Sequence, residues 1–254
     1  MRVSKLLYIA DMKERDPAPG IIEKIISFQQ KGLEEIVFFK VNPSEEQIEN
    51  LSRLSINSKV LADRAISSED ILRVAEEEEI SLIVIEIDKE KENTRPRSVL
   101  KKLIEMSSTP LLVIEEDAEE KESQNGLFDH VIFATACTPR SEKTVEFILG
   151  FKELVGELDI IHVINDKITV KYMRDLKERL EKTRKVYLDE GIDAESHIYA
   201  GKTDEEIITA SRDYRGTIII ISVNTERSFL RRMFKESSAY GTVKRANIPV
   251  LIVP

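Results

Sequence analysis

The chain states one pattern twice, and that repetition constrains its fold more than any other feature. Residues 109–114, Thr-Pro-Leu-Leu-Val-Ile, read like residues 248–253, Ile-Pro-Val-Leu-Ile-Val. Each follows a helix-like stretch with a serine twelve residues before the proline, Ser98 before Pro110 and Ser237 before Pro249. Each half also opens with a short apolar strand, residues 6–10 and 131–135. A duplication over the full length, with copies about the size of a domain, implies two similar folding units. A length of 254 residues is enough for two separate cores.

The expected strands are continuous apolar runs, at 36–41, 82–87, 111–114, 160–164, 218–221 and 250–253. Such runs mark strands covered on both faces, as in parallel sheets flanked by helices. Between them lie helix-patterned segments: 20–30 and 142–154, 69–78 and 204–213, 98–106 and 238–246. The middles differ, because copy two carries a long helical segment at 169–190 where copy one offers only 44–54. Strand and helix alternate, so the fold expected is α/β: two tandem, doubly wound, five-stranded, mostly parallel sheets flanked by helices. Residues 115–126, Glu-Glu-Asp-Ala-Glu-Glu-Lys-Glu-Ser-Gln-Asn-Gly, are acidic and end in a turn signal. The expected division is therefore domain 1 over 1–116, a linker over 117–126 and domain 2 over 127–254.

Composition removes several functional classes. A hydrophobic share of 41% with 33% charged residues is globular, and no apolar run approaches a membrane span. The N-terminal apolar stretch is too short for a signal peptide. One cysteine, Cys137, allows no intramolecular disulfide and no cysteine-based metal cluster. A cytoplasmic protein with no membrane partner is expected. A net charge of −9 argues against nucleic acid as a partner.

In an open doubly wound sheet, ligands bind outside the carboxyl ends of the strands, where strand order reverses. The residues after strands one and four of each copy are the ones that count. In copy one these are Asp11 and the stretch 88–98, and in copy two Ala136, Cys137, Thr138 and the stretch 222–238.

At these positions the chain resembles a tandem member of the universal stress protein family. The family's opening pattern is echoed by Leu6-Leu7-Tyr8-Ile9-Ala10-Asp11 and by Val131-Ile132-Phe133-Ala134-Thr135-Ala136-Cys137-Thr138. Strand two ends in Val41 and in Val163, the latter preceded by His162. Gly201-Lys202-Thr203 resembles the turn before the third helix, and both copies close on the proline-led strand. The resemblance implies a flavodoxin-like or Rossmann-like fold of the adenine nucleotide alpha hydrolase kind, with AMP or ATP as ligand and no metal expected. It also implies pairing through the last strands, here 111–114 with 250–253, as an intramolecular pseudo-dimer; further homodimerisation stays open.

The family's glycine-rich phosphate motif is missing. Counting back from the prolines places its final pair on Glu236-Ser237 and on Arg97-Ser98, with the earlier glycines replaced. Arg227, Arg231, Arg232 and Lys235 crowd the copy-two loop instead, and cations beside a helix N-terminus suit a phosphate. The same arginines also read as a solvated helix face. The nucleotide contacts expected are Ala134, Thr135, Ala136, Thr138, Val163, Arg227, Arg231, Arg232, Ser237 and Ser238 in copy two. In copy one they are Asp11, Val41 and Ser98. Ser98 and Ser237 equally read as N-caps, and Asp11 as a turn residue. His130, His162 and His197 show no carboxylate or cysteine spacing that suggests a metal, and read as structural. Cys137 reads as an inert thiol.

The function expected is a stress-response regulatory protein that binds adenine nucleotide in domain 2 without turnover, with an unidentified protein partner. The alternatives are a nucleotide-free pseudo-dimeric interaction module and, less favoured by the residues, a slow nucleotide hydrolase.

Overall fold

A computed structural model describes residues 3–10, 19–61, 67–87, 96–115, 126–138, 141–165, 167–223 and 236–254. The chain divides into two compact units, Arg2–Ser123 and Gln124–Pro254. Nearly all of the proposed linker 117–126 lies outside the described residues, with only Gly126 inside.

The first unit runs β1 (Lys5–Ala10), α1 (Pro19–Ile26), β2 (Glu35–Phe39), α2 (Glu45–Arg53), β3 (Asn57–Leu61), α3 (Ser68–Glu77), β4 (Leu82–Ile87), α4 (Pro96–Met106) and β5 (Leu111–Glu115). Its strands are parallel in the order β3-β2-β1-β4-β5. The second unit repeats the plan with β6 (His130–Ala134), α5 (Ser141–Leu149), β7 (Glu157–Ile164), α6 (Val170–Asp189), β8 (Asp193–Ala200), α7 (Thr203–Asp213), β9 (Ile218–Ser222), α8 (Glu236–Arg245) and β10 (Val250–Val253). Its order is β10-β9-β6-β7-β8, again parallel. In each unit the second strand lies on one side of the first and the fourth on the other, which is the doubly wound arrangement the alternation predicts.

The apolar runs lie in the centre of each sheet because helices cover both faces. Leu6, Leu7, Tyr8 and Ile9 are fully buried, as are Val131, Ile132 and Phe133. Each such side chain contributes about 1.5–3 kcal/mol relative to exposure. The edge strand β3 keeps Asn57, Ser58, Lys59 and Val60 exposed, which is how an edge avoids further pairing.

Local signals set the helix ends. Ser44 and Gln47 form a reciprocal capping box at α2, and Thr169 caps α6 by accepting from the Tyr172 N–H at 3.1 Å. The stretch read as one helix over 20–30 is instead α1 followed by a 3-10 turn, Ser27–Lys31, closed by Gly32 at φ +87°. The helix expected over 142–154 ends at Leu149 and continues as turns.

Backbone details are duplicated as well. The Ile83 N–H donates to the Pro110 carbonyl and the Ile219 N–H to the Pro249 carbonyl, each at 2.9 Å. The Ser81 hydroxyl accepts from the Lys5 N–H at 3.0 Å and donates to the Lys5 carbonyl at 2.8 Å. The Thr217 hydroxyl accepts from the His130 N–H at 3.0 Å, with the His130 carbonyl at 3.1 Å. One hydroxyl thus ties the start of strand four to the start of strand one in both units.

Candidate functional site

In the second unit the order reverses between β6 and β9, and the chain leaves β6 through residues 135–138. Thr135 organises this exit. Its N–H donates to the Ile161 carbonyl at 3.0 Å, continuing the ladder past the strand end. Its hydroxyl donates to Ser141 Oγ at 2.9 Å and accepts from the Cys137 N–H at 3.0 Å. The Thr135 carbonyl lies 2.9 Å from His162 Nδ1, so the imidazole donates there. The Thr138 carbonyl accepts from the Ser141 N–H at 2.9 Å, leading directly into α5. Cys137 holds φ +52°, a left-handed conformation that glycine adopts with least strain.

The titratable groups here stay neutral. Burial, then the Arg179 charge, holds the His162 imidazole below its ordinary value against the raising effect of its bond to Thr135. Burial pushes the Cys137 thiol up to about 11, so it carries little thiolate near neutrality. Arg179, on α6, acts electrostatically on both groups and is a cation beside the loop that spacing in the sequence did not indicate.

Among the expected contacts, Ala134 and Thr135 are buried, while Ala136, Thr138, Val163 and Ser238 are half-buried. The exit of β6 therefore brings Ala134, Thr135, Ala136 and Thr138 together, and the ladder sets Val163 near the end of neighbouring β7. The Ser238 carbonyl accepts from the Thr242 hydroxyl at 2.9 Å inside α8. Arg227, Arg231, Arg232 and Asp11 lie outside the described residues, and of Ser237 only the backbone is described. The capping expectation is corrected. Ser98 and Ser237 are each preceded by residues already in the helix, Pro96 and Arg97 in α4 and Glu236 in α8, so neither is an N-cap.

The corresponding exit in the first unit differs. Val41 is buried two residues past β2, and Ser98 is exposed on α4. Glu86, in β4 beside Ala10, is completely buried and accepts a hydrogen bond from the Tyr8 hydroxyl. By register, the second unit places Ser222 and Phe133 at these positions. The apolar run 82–87 hid this carboxylate among hydrophobic neighbours.

A second constellation lies at the opposite, N-terminal end of the second sheet. Asp159 receives His130 Nε2 at 2.6 Å on one oxygen and His197 Nε2 at 2.7 Å on the other. His197 Nδ1 lies 3.1 Å from the Tyr214 hydroxyl, and the two rings stack with centroids 4.5 Å apart. The spacing that showed no carboxylate near these histidines is thereby supplemented by Asp159. Spacing along one segment cannot show a partner supplied by the neighbouring strand.

No protein-family model matches the chain, and no curated protein matches it. Solved structures do. A universal stress protein from Archaeoglobus fulgidus DSM 4304 is 18% identical, with TM-score 0.65 over 99% of this chain and 96% of that one. A protein of Pseudomonas aeruginosa UCBPP-PA14 assigned as a universal stress protein is 13% identical, with TM-score 0.69 over 99% and 93%. A protein of unknown function from Pseudomonas aeruginosa PAO1 is 13% identical, with TM-score 0.66 over 98% and 92%. At such identities the likeness is one of architecture, and it spans both units: the chain has the tandem α/β fold of universal stress proteins.

Proposed function

We propose that the chain is a regulatory protein of the universal stress protein kind whose second domain binds an adenine nucleotide, AMP or ATP, without turning it over. The observation that carries this reading is the contrast between the two strand-order reversals. The second unit presents a neutral, hydrogen-bonded exit loop with Ser222 at the end of β9, and Arg179 acts on that loop. The first unit fills the same place with the buried Glu86 side chain, hydrogen-bonded to Tyr8. Backbone groups around Val163 and the 134–138 loop serve the adenosine. Ser237 and Ser238, on α8, are the phosphate contacts in this reading. Arg227, Arg231 and Arg232 add positive charge on the sequence segment leading into it. Ligand bridging the two loops would shift the population of the surface shown to a protein partner.

The test is calorimetric titration of the full chain with AMP and with ATP. One binding event is expected, abolished by Ser222→Glu, which imposes the first unit's carboxylate on the second. Absence of binding at millimolar nucleotide overturns the reading. Phosphate release from ATP above background overturns the absence of turnover.

A further inference from the structure

We propose that Asp159, Glu195 and His197, with His130 holding the second oxygen of Asp159, form a binding site for one divalent transition-metal ion of the zinc class, at the end of the second domain's sheet opposite the proposed nucleotide site. The register builds it. Ile132 pairs with Asp159 and Ile161 with His197 in adjacent parallel strands. Side chains two apart share a face, so His130, Asp159, Glu195 and His197 all project to one side of three neighbouring strands. There, two imidazole Nε2 atoms converge on one carboxylate that is 7% exposed. Glu195 Oε2 lies 3.6 Å from His197 Nε2. Ligand atoms of Asp159, Glu195 and His197 fall within 4.8 Å of one another. A tetrahedral zinc ion with bonds of ~2.0–2.2 Å needs its ligands about 3.3 Å apart, so small rotations of these three side chains seat it, with water as the fourth ligand.

Three further observations favour a metal over a purely structural hydrogen-bonded group. The donor set, one imidazole and two carboxylates, matches zinc's preference for nitrogen and oxygen and balances its charge. Each histidine is also backed on its second nitrogen, His197 by Tyr214 at 3.1 Å and His130 by Glu157 Oε2 at 3.4 Å. Such outer partners orient ligating imidazoles and fix their tautomers. Finally, Glu157 and Glu195 are 66% and 72% exposed, which leaves an entry path to the buried Asp159.

The test uses the full chain, stripped with a chelator and titrated with cobalt(II), then with zinc(II) in competition. One equivalent of cobalt is expected to give the visible d–d absorption of a four-coordinate site, and zinc is expected to abolish it. His197→Gln and Asp159→Asn should lose the absorption, with circular dichroism reporting the fold. Glu195→Gln changes an exposed side chain and so keeps the fold; it should weaken binding by about tenfold or more. The chain has three histidines, and His162 is engaged at the other end of the sheet, which limits adventitious binding. Absence of the four-coordinate spectrum in the parent chain, or unchanged binding in Glu195→Gln, overturns the proposal.

Discussion

The N-terminal corners of the two sheets share one backbone and carry different chemistry. In the first unit Lys5 bridges Glu35 at 2.9 Å and Glu78 at 3.0 Å, and Lys59 bridges Glu78 at 2.7 Å. In the second unit the same register positions hold His130 for Lys5, Glu157 for Glu35, Glu195 for Lys59 and Tyr214 for Glu78. The hydroxyl tie of Ser81 recurs as Thr217, and the left-handed residue after the third helix recurs as Arg215 for Glu79. Lysines form permanent ion pairs and are poor metal ligands; neutral imidazoles ligate metals. Duplicated backbone hydrogen bonds hold each corner in place, and the side chains on it decide what it can bind.

Grafting across the comparison should give the largest effect. Gly216 occupies the place of Ile80 in the first unit, and a Cβ there would collide with the Ile132 side chain. Gly216→Ile should therefore destabilise the second unit by about 3 kcal/mol through overpacking, read as a lowered denaturation midpoint. Adding Ile132→Ala should recover part of it, and full tolerance of the single graft would show that the two corners are more alike than the packing indicates.

Next come the paired hydroxyl ties. Ser81→Ala and Thr217→Val each strand buried backbone groups and should cost about 2 kcal/mol. Unequal losses in the two variants, measured by urea denaturation, would show that the tie matters to one unit more than the other.

A smaller effect separates the units by pH. The folded His162 titrates below its ordinary value of 6.5, so the folded state favours the neutral ring. Its stabilisation is complete above about 6.5 and is lost as pH falls from there through the lowered folded value. Its counterpart in the first unit is Lys40 rather than a histidine. Denaturation midpoints measured between about pH 5 and 7 should fall with acid, and His162→Asn should flatten that slope. An unchanged slope would remove His162 as its source.

The smallest expected effect treats both units alike. Glu79 and Arg215 hold φ +54° and +52° at equivalent turns. Replacing either with glycine relieves left-handed strain but loosens the unfolded chain, leaving a net gain of about 0.5 kcal/mol. Thermal melts of the two variants should shift upward together; opposite shifts would break the equivalence.

Much of the fold is legible in the sequence because its signals are local. Covered parallel strands read as continuous apolar runs, and Ser44 and Thr169 announce the helices they cap. Ser98 and Ser237 misled because a serine near a helix start resembles a cap, whereas residues before each are already helical. Glu86 was concealed by its apolar neighbours, although its burial against Tyr8 is what separates the two strand-order reversals.

The sequence by itself determined the duplication, the alternation of strand and helix and hence the ends of the sheets where order reverses, because each depends on periodicity within a single segment. The tertiary structure alone decided which polar side chains meet. His130 and His197 lie 29 and 38 residues from Asp159 along the chain. Only parallel strand register, which fixes both the pairing and the face of every residue, brings the three groups onto one patch.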